Sequence, residues 1–237
     1  MKVSITIPAH NESKRIKRTL ETYACFFAQK KIEHEFIVVL NGCTDDTCKI
    51  VQEIQKKSPT VRIIDLQEAG KGLAVITGFR DALKRENDLI GFVDADMATQ
   101  PKYFYELIEK IDDANGIIAS RYMKESQIFP PRPGTKEWGR ILLFNPLVQL
   151  LFGLRYADFQ CGAKLFKRHV IEDIADQLTI PHWAFDVELL YQCKKNDFKI
   201  KEVPTVWHDQ DHSKFSTRAG LHMIVSLFPM RFSRAKK

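Results

Sequence analysis

The sequence predicts an α/β domain built on a mostly parallel sheet flanked by helices. Three observations carry this. Short apolar runs alternate with segments of helical periodicity through the first 120 residues. Several of those runs are continuous rather than alternating, as expected of strands covered on both faces. Polar turns rich in Asn, Asp and Gly follow the runs, where ligands of open parallel sheets bind.

The elements follow in order. Val3, Ile5 and Ile7 alternate before Pro8, which predicts a strand over 2–7. Asn11-Glu12-Ser13 offers a helix cap, and Ile16, Leu20, Tyr23, Ala24 and Phe27 follow at helical spacing. Phe36 to Leu40 reads as a buried strand, and the turn Asn41 to Asp46 feeds a helix to about Lys57. Val61 to Leu66 is a third strand. Lys71-Gly72 opens a helix carrying Leu73, Ile76, Phe79 and Leu83. Leu89 to Val93 is a fourth strand ending on Asp94-Ala95-Asp96. Pro101 suits the first turn of a helix to Ile111, and Gly116 to Ala119 is another short strand. Phe129 to Gly134, with three prolines and a glycine, reads as a mobile loop. Beyond it the spacing predicts helices over 136–152 and 185–193, a strand over 199–207 and an amphipathic segment over 217–232. No internal repeat and no clean boundary divides the 237 residues, so one domain is expected.

Composition narrows the function. Hydrophobic residues make up 44% and charged residues 28%, which excludes wholesale disorder. A formal net charge of +6 suggests an anionic partner, or only a solvated basic surface. No arginine-rich helix, zinc finger or ribonucleoprotein motif points to nucleic acid. The five cysteines are odd in number and fit no zinc spacing, so reduced thiols are expected. The seven histidines are scattered, and none is assigned as a metal ligand. The chain opens directly into a strand pattern, so no apolar leader is expected. The longest apolar stretch, 141–154, is too short for a bilayer span of about 20 residues.

Two local motifs bear on chemistry. Asp94 and Asp96 flank one small residue directly after an apolar strand, where their oxygens can converge on Mg²⁺ or Mn²⁺. A solvated acidic turn is the plainer reading. Two acids capping a buried strand repel one another unless a cation or a base pairs them. Glu68-Ala69-Gly70-Lys71-Gly72 places a glycine-flanked lysine before a helix, which suits a diphosphate or is simply a flexible turn. It is neither a P-loop nor a dinucleotide fingerprint.

Taken together, Ile7-Pro8-Ala9-His10-Asn11-Glu12, Asn41-Gly42-Cys43-Thr44-Asp45-Asp46-Thr47, Gly70-Lys71-Gly72 and Asp94-Ala95-Asp96 resemble the inverting GT-A glycosyltransferases of family two. Ala119-Ser120-Arg121 is similar to that family's Gly-Ser-Arg. The segments Asp158 to Phe166 and Trp183 to Leu190 resemble its dolichyl-phosphate glucosyltransferase branch, a relative of the mannosyltransferases. The likeness runs from about residue 3 to 215. It departs at Leu40-Asn41-Gly42-Cys43, where the family usually has Asp-Asp-Gly-Ser.

The resemblance implies a GT-A, Rossmann-like fold with a nucleotide-sugar-binding half over 1–120. The acceptor half, over 121–237, would end in acceptor or membrane-interface helices. It implies that Pro8, Ala9, Glu12, Asn41, Lys71, Asp94, Ala95 and Asp96 line the donor pocket, with Asp94 and Asp96 on the metal. Arg121 would meet a phosphate, and Asp158, Gln160 and Asp186 would face sugar and acceptor. The implied reaction is transfer of glucose from UDP-glucose to a polyprenyl or dolichyl phosphate. Asp96, Asp186 and Arg121 are the candidate catalytic residues.

The chemistry suits these residue types. A departing diphosphate needs a metal and a lysine or arginine to neutralise it. A phosphate monoester acceptor has its second pKa at about 6 and needs cations rather than a base. Arg121, Arg132, Arg140 and Lys164 are candidates for it, or surface ion-pair partners. An alcohol acceptor would need a base, and Asp186 would serve as that or as a sugar-orienting group. The alternatives are a transferase acting on a sugar or protein hydroxyl, and a non-catalytic nucleotide-binding membrane adaptor. The segments 141–154 and 217–232 read as a peripheral attachment to the cytoplasmic face of a membrane, or as ordinary core or dimer helices. Oligomeric state stays open.

Overall fold

A computed structural model of the chain describes residues 1–131, 144–210 and 217–232, the side chains of the last segment over 224–231. The strands are β1 Lys2–Ala9, β2 Glu33–Asn41, β3 Val61–Leu66, β4 Leu89–Val93, β5 Gly116–Ser120, β6 Gln127–Phe129, β7 Ala163–Lys167, β8 Ile200–Pro204 and β9 Val206–His208, the first five on apolar runs. The helices between and after them are α1 Ile16–Ala28, α2 Thr47–Gln55, α3 Lys71–Ala82, α4 Pro101–Lys110, α5 Asn145–Phe152, α6 Arg168–Ile174, α7 Phe185–Lys195 and α8 Thr217–Phe232.

Seven strands make one sheet in the order β3-β2-β1-β4-β7-β5-β8. Every pairing is parallel except the two made by β7, which lies antiparallel between β4 and β5. The short strands β6 and β9 pair separately and in parallel. Alternation along β2 splits its side chains between two cores. Phe36, Val38 and Leu40 meet α1, α2 and α4, while Ile37 and Val39 meet α3, α6 and α7. Burying both faces of the strands is what makes their runs continuous in sequence.

A third core joins α5 and α8 to β5 and α7, through Phe144, Val148, Phe152, Phe159 and Leu227. Phe144 and Phe152 are therefore interior, and part of the apolar content of 141–154 is ordinary packing. Leu150, Val225 and Phe228 stay outside that core and exposed. Among the described residues no helix is long and apolar enough to cross a membrane.

Three sequence expectations need correction. Asn11-Glu12-Ser13 does not cap α1, which starts at Ile16 with the Arg15 and Ile16 amides bonded to the Glu12 carbonyl. The strand expected over 199–207 is two strands in two sheets. Thr205 is the junction, its amide donating to the Ser120 carbonyl and its carbonyl accepting from Gln127. Strand β7 and helix α6 arise where the pattern suggested only a polar lead-in and no helix. The helix over 136–152 is seen from Asn145; its earlier part lies outside the described residues.

Candidate active site

The crevice at the carboxyl ends of β1, β2 and β4 is held by short-range bonds between turns. Asn41, 3% exposed, ties three of them together. Its Nδ2 donates to the Ala9 carbonyl at 2.9 Å, and its Oδ1 accepts from the Gly70 amide at 3.1 Å. The His10 ring Nδ1 lies 2.6 Å from the Asn41 carbonyl oxygen. Asn11 sits at φ 51°, a left-handed conformation asparagine tolerates, and its Oδ1 accepts from the Thr44 amide at 2.7 Å. Asp45 accepts from the Ser13 amide and from Thr47. Burial opposes its ionisation, but these bonds hold its pKa well below the usual carboxylate range. Pro8 pairs with Val39 within the sheet, and Glu12 is buried with its carboxylate on Arg15 at 2.7 and 2.8 Å.

The acidic turn stands at the centre. Asp94 Oδ1 lies 2.8 Å from the Lys71 ammonium. Burial works against the charge on Lys71, yet Asp94, then Asp186 and Asp96, raise its pKa above the ordinary lysine value. The Asp94 amide donates to the Gly162 carbonyl at 3.0 Å. A Cβ at position 162 would fall 1.8 Å from Asp94 Oδ2, so only glycine admits this approach. The Ala95 carbonyl accepts from Thr19 Oγ1 of α1 at 2.7 Å, which fixes the turn between the two acids. Asp96 accepts from the Ala98 amide at 3.0 Å. Burial first, and the Asp94 charge second, push the Asp96 pKa up to about 6. Beside it a cavity of about 310 Å³ is lined by Arg15, Arg18, Asp96, Met97, Gln100 and His208 among others.

A hard divalent cation fits this donor set. Two adjacent carboxylates, one of them short of compensating charge, are what such an ion relieves. Among the described residues no cluster of three His, Cys, Asp or Glu side chains surrounds them. Asp94 and Asp96 would hold the ion, and its remaining ligands would be water and phosphate oxygens.

Four of the residues assigned to sugar or acceptor form two ion pairs, and one of them, Asp186, is near enough to Lys71 to raise its pKa. Arg121 faces Asp158 through two bonds, Nε to Oδ2 at 2.6 Å and Nη2 to Oδ1 at 2.8 Å. Its guanidinium also lies 4.9 Å from the Trp207 ring centroid. Burial disfavours both charges, but mutual attraction prevails: Arg121 is raised and Asp158 is lowered to about 2. Lys164, wholly buried, donates to Asp186 at 2.5 Å and to the Cys161 carbonyl at 2.8 Å. The Gln160 amide donates to Asp158 at 3.1 Å. Arg132 and Arg140 lie outside the described residues. Sequence reasoning did not find Arg15, Arg18 or His208 beside Asp96. Nothing in the spacing of the scattered histidines marks that one.

This sheet, with paired carboxylates at the end of a central strand, is that of a GT-A glycosyltransferase. The chain belongs to glycosyl transferase family 2, whose profile matches residues 4–175. It is 32% identical to the dolichyl-phosphate beta-glucosyltransferase of Dictyostelium discoideum, over 97% of this chain and 74% of that one. It is 28% identical to glycosyltransferase AglD of Haloferax volcanii, over 90% of this chain but only 34% of AglD. A crystal structure of glucosyl-3-phosphoglycerate synthase from Mycobacterium tuberculosis, in complex with Mn²⁺, UDP and glucosyl-3-phosphoglycerate, shares the fold. Its TM-score is 0.69 at 18% identity, covering 98% of this chain and 79% of that one.

Proposed function

We propose that the chain is a metal-dependent, inverting transferase that moves glucose from UDP-glucose to a polyprenyl or dolichyl phosphate at a membrane surface. The observation that carries the choice of acceptor is the Lys164–Asp186 pair. Asp186, the carboxylate considered as a base for an alcohol, is buried and already bonded to an ammonium. An ionised phosphate nucleophile needs no base, so the site loses nothing by this arrangement. The names of the relatives, dolichyl-phosphate beta-glucosyltransferases at about 30% identity over more than nine-tenths of the chain, support the same acceptor.

Asp94 and Asp96 would hold Mg²⁺ or Mn²⁺, which when bound supplies Lewis-acid stabilisation of the departing diphosphate. Lys71, kept protonated by three nearby acids, adds a fixed positive charge on the same side. Pro8, Ala9, Glu12 and the turn stapled by Asn41 would shape the nucleotide pocket. The acceptor phosphate oxygen would attack the anomeric carbon from the face opposite the diphosphate. A new C–O bond forms, the bond to the diphosphate breaks, and UDP leaves with its electron pair. Arg132 and Arg140 are the proposed phosphate contacts. Arg121, Asp158 and Lys164 act from behind the acceptor side, and Gln160 faces it. The exposed Leu150, Val225 and Phe228 would bring the site to the cytoplasmic face of the membrane, where the lipid tail stays.

The test is a donor and acceptor screen with purified protein and Mn²⁺. UDP-glucose with a short polyprenyl phosphate is expected to give an acid-labile glycolipid and UDP in equal amounts. Transfer to soluble sugars or peptides instead, with none to polyprenyl phosphate, overturns the reading.

A further inference from the structure

Glu188 lies in the first turn of α7 and is 3% exposed. Its carboxylate is fully engaged with one short segment. Oε1 accepts from the Thr179 amide at 3.1 Å and from Thr179 Oγ1 at 2.9 Å. Oε2 accepts from the Thr179 amide at 3.0 Å and the Ile180 amide at 2.9 Å. A buried carboxylate is costly unless bonded in this way, so the bonds fix segment 179–184 firmly to α7.

That segment runs across the start of α3. The Pro181 carbonyl accepts from the Leu73 amide at 3.1 Å, satisfying one of the orphan donors of the first helical turn. The approach is close enough to demand glycines. A Cβ on Gly70 would lie 2.5 Å from the Pro181 oxygen, and one on Gly72 would lie 2.2 Å from the Ile180 oxygen. Between those glycines stands Lys71. Its ammonium is 5.6 Å from the Trp183 ring centroid and 2.8 Å from Asp94.

We propose that Glu188 is a positioning residue for Lys71: it anchors segment 179–184, the segment fixes the first turn of α3, and that turn aims the ammonium at Asp94. The inference about ligand binding rests on the donor reading given above. It assigns a role to an acidic residue of the Trp183 to Leu190 motif that touches neither the acidic turn nor Lys71.

Glu188→Gln keeps the shape but turns an amide NH₂ toward backbone N–H donors. Two readouts test the chain of contacts. In hydrogen exchange, the Leu73 amide of the variant is expected to exchange about fivefold faster, since the cost of one mismatched bond is near 1 kcal/mol. Amides of β1 and β4 should stay unchanged. In the second readout, the Kd for UDP with Mn²⁺ should rise about tenfold in the wild-type background. In a Lys71→Ala background it should rise less than about twofold, because residues acting through one another are not additive. Thr179→Val removes one of the bonds and should shift both readouts the same way by less. It serves if Glu188→Gln does not fold. Unchanged Leu73 exchange, or an equal rise in Kd with and without Lys71, overturns the proposal. Failure of the wild type to bind UDP with Mn²⁺ would instead sink the donor reading, and Leu73 exchange would still decide the contact chain.

Discussion

The residues before and after position 120 use charge in different ways. At the end of β4 and the start of α3, Asp94 and Lys71 stand at a rim: the Asp94 side chain is 23% exposed and that of Lys71 13%. Past residue 120 the motif charges are shut in. Asp158 is 1% exposed, and Lys164 and Asp186 are 0% and 2%. A rim charge can exchange its partner for a ligand. A closed pair cannot, and losing one member strands the other in a low-dielectric interior. The difference teaches that acidic motifs which look alike in sequence divide by burial into groups that bind and groups that hold.

The sharpest way to break this comparison is at the rim. Asp96→Ala is expected to cut transfer by about a thousandfold or more, since a lost metal ligand removes several kcal/mol of transition-state stabilisation. Its Tm should stay within about 2 °C of wild type or rise, because a crowded, partly protonated acid is gone. Activity close to wild type with metal still required would falsify the metal assignment.

The converse holds in the acceptor half. Arg121→Ala leaves Asp158 buried and unpaired, and should destabilise the fold by about 3–5 kcal/mol, a fall in Tm of about 10 °C for a chain this size. Pairing Arg121→Met with Asp158→Leu should recover most of that stability. If the single variant melts like the wild type, the pair does not hold the acceptor half.

A pH series sharpens the same point. Asp158 is held at about 2 in the fold against about 3.9 in an unfolded chain. Its folded pKa is depressed, so its stabilising contribution is complete above about pH 4 and is lost as pH falls through about 2. Chemical denaturation between pH 5 and 2 should show this slope, and it should shrink in Arg121→Met with Asp158→Leu.

The smallest effect expected is at the exposed apolar residues Val225 and Phe228. Val225→Ser with Phe228→Ser should lower binding to anionic vesicles about tenfold, given roughly 1.5–3 kcal/mol for fully burying each such side chain and their partial exposure here. Tm should barely move. Phe144→Ser, by contrast, should cost stability, because that ring is in the core. Flotation equal to wild type for the double surface variant would favour a soluble acceptor.

How far the sequence could be read follows from the same division. The first four strands were legible because each is an apolar run ended by polar turn residues, and Asp94 and Asp96 stood out as acids directly after a buried strand. Strand β7 was not legible. Its sequence Ala-Lys-Leu-Phe-Lys carries Lys164, a wholly buried lysine whose partner Asp186 is 22 residues away. Local periodicity has no means of showing a charge cancelled at that distance. The ion pair of Arg121 was out of reach for the same reason, since its partner Asp158 lies 37 residues on. Strands β8 and β9 ran together because Val203, Val206 and Trp207 continue an apolar pattern across Pro204, and the switch at Thr205 is fixed by hydrogen bonds to other strands.

The placement of β7 also bears on attempts to recombine such enzymes. A chain cut after residue 120 would strand β5, because both of its neighbours in the sheet, β7 and β8, come from the later residues. The earlier fragment would carry the whole acidic turn yet lose Gly162, whose carbonyl receives the Asp94 amide. Donor and acceptor preferences are therefore not exchangeable cassettes in this scaffold. A chimera that swaps the later half imports a new floor beneath the acidic turn, and segment 157–167 has to travel with the donor half for its chemistry to survive.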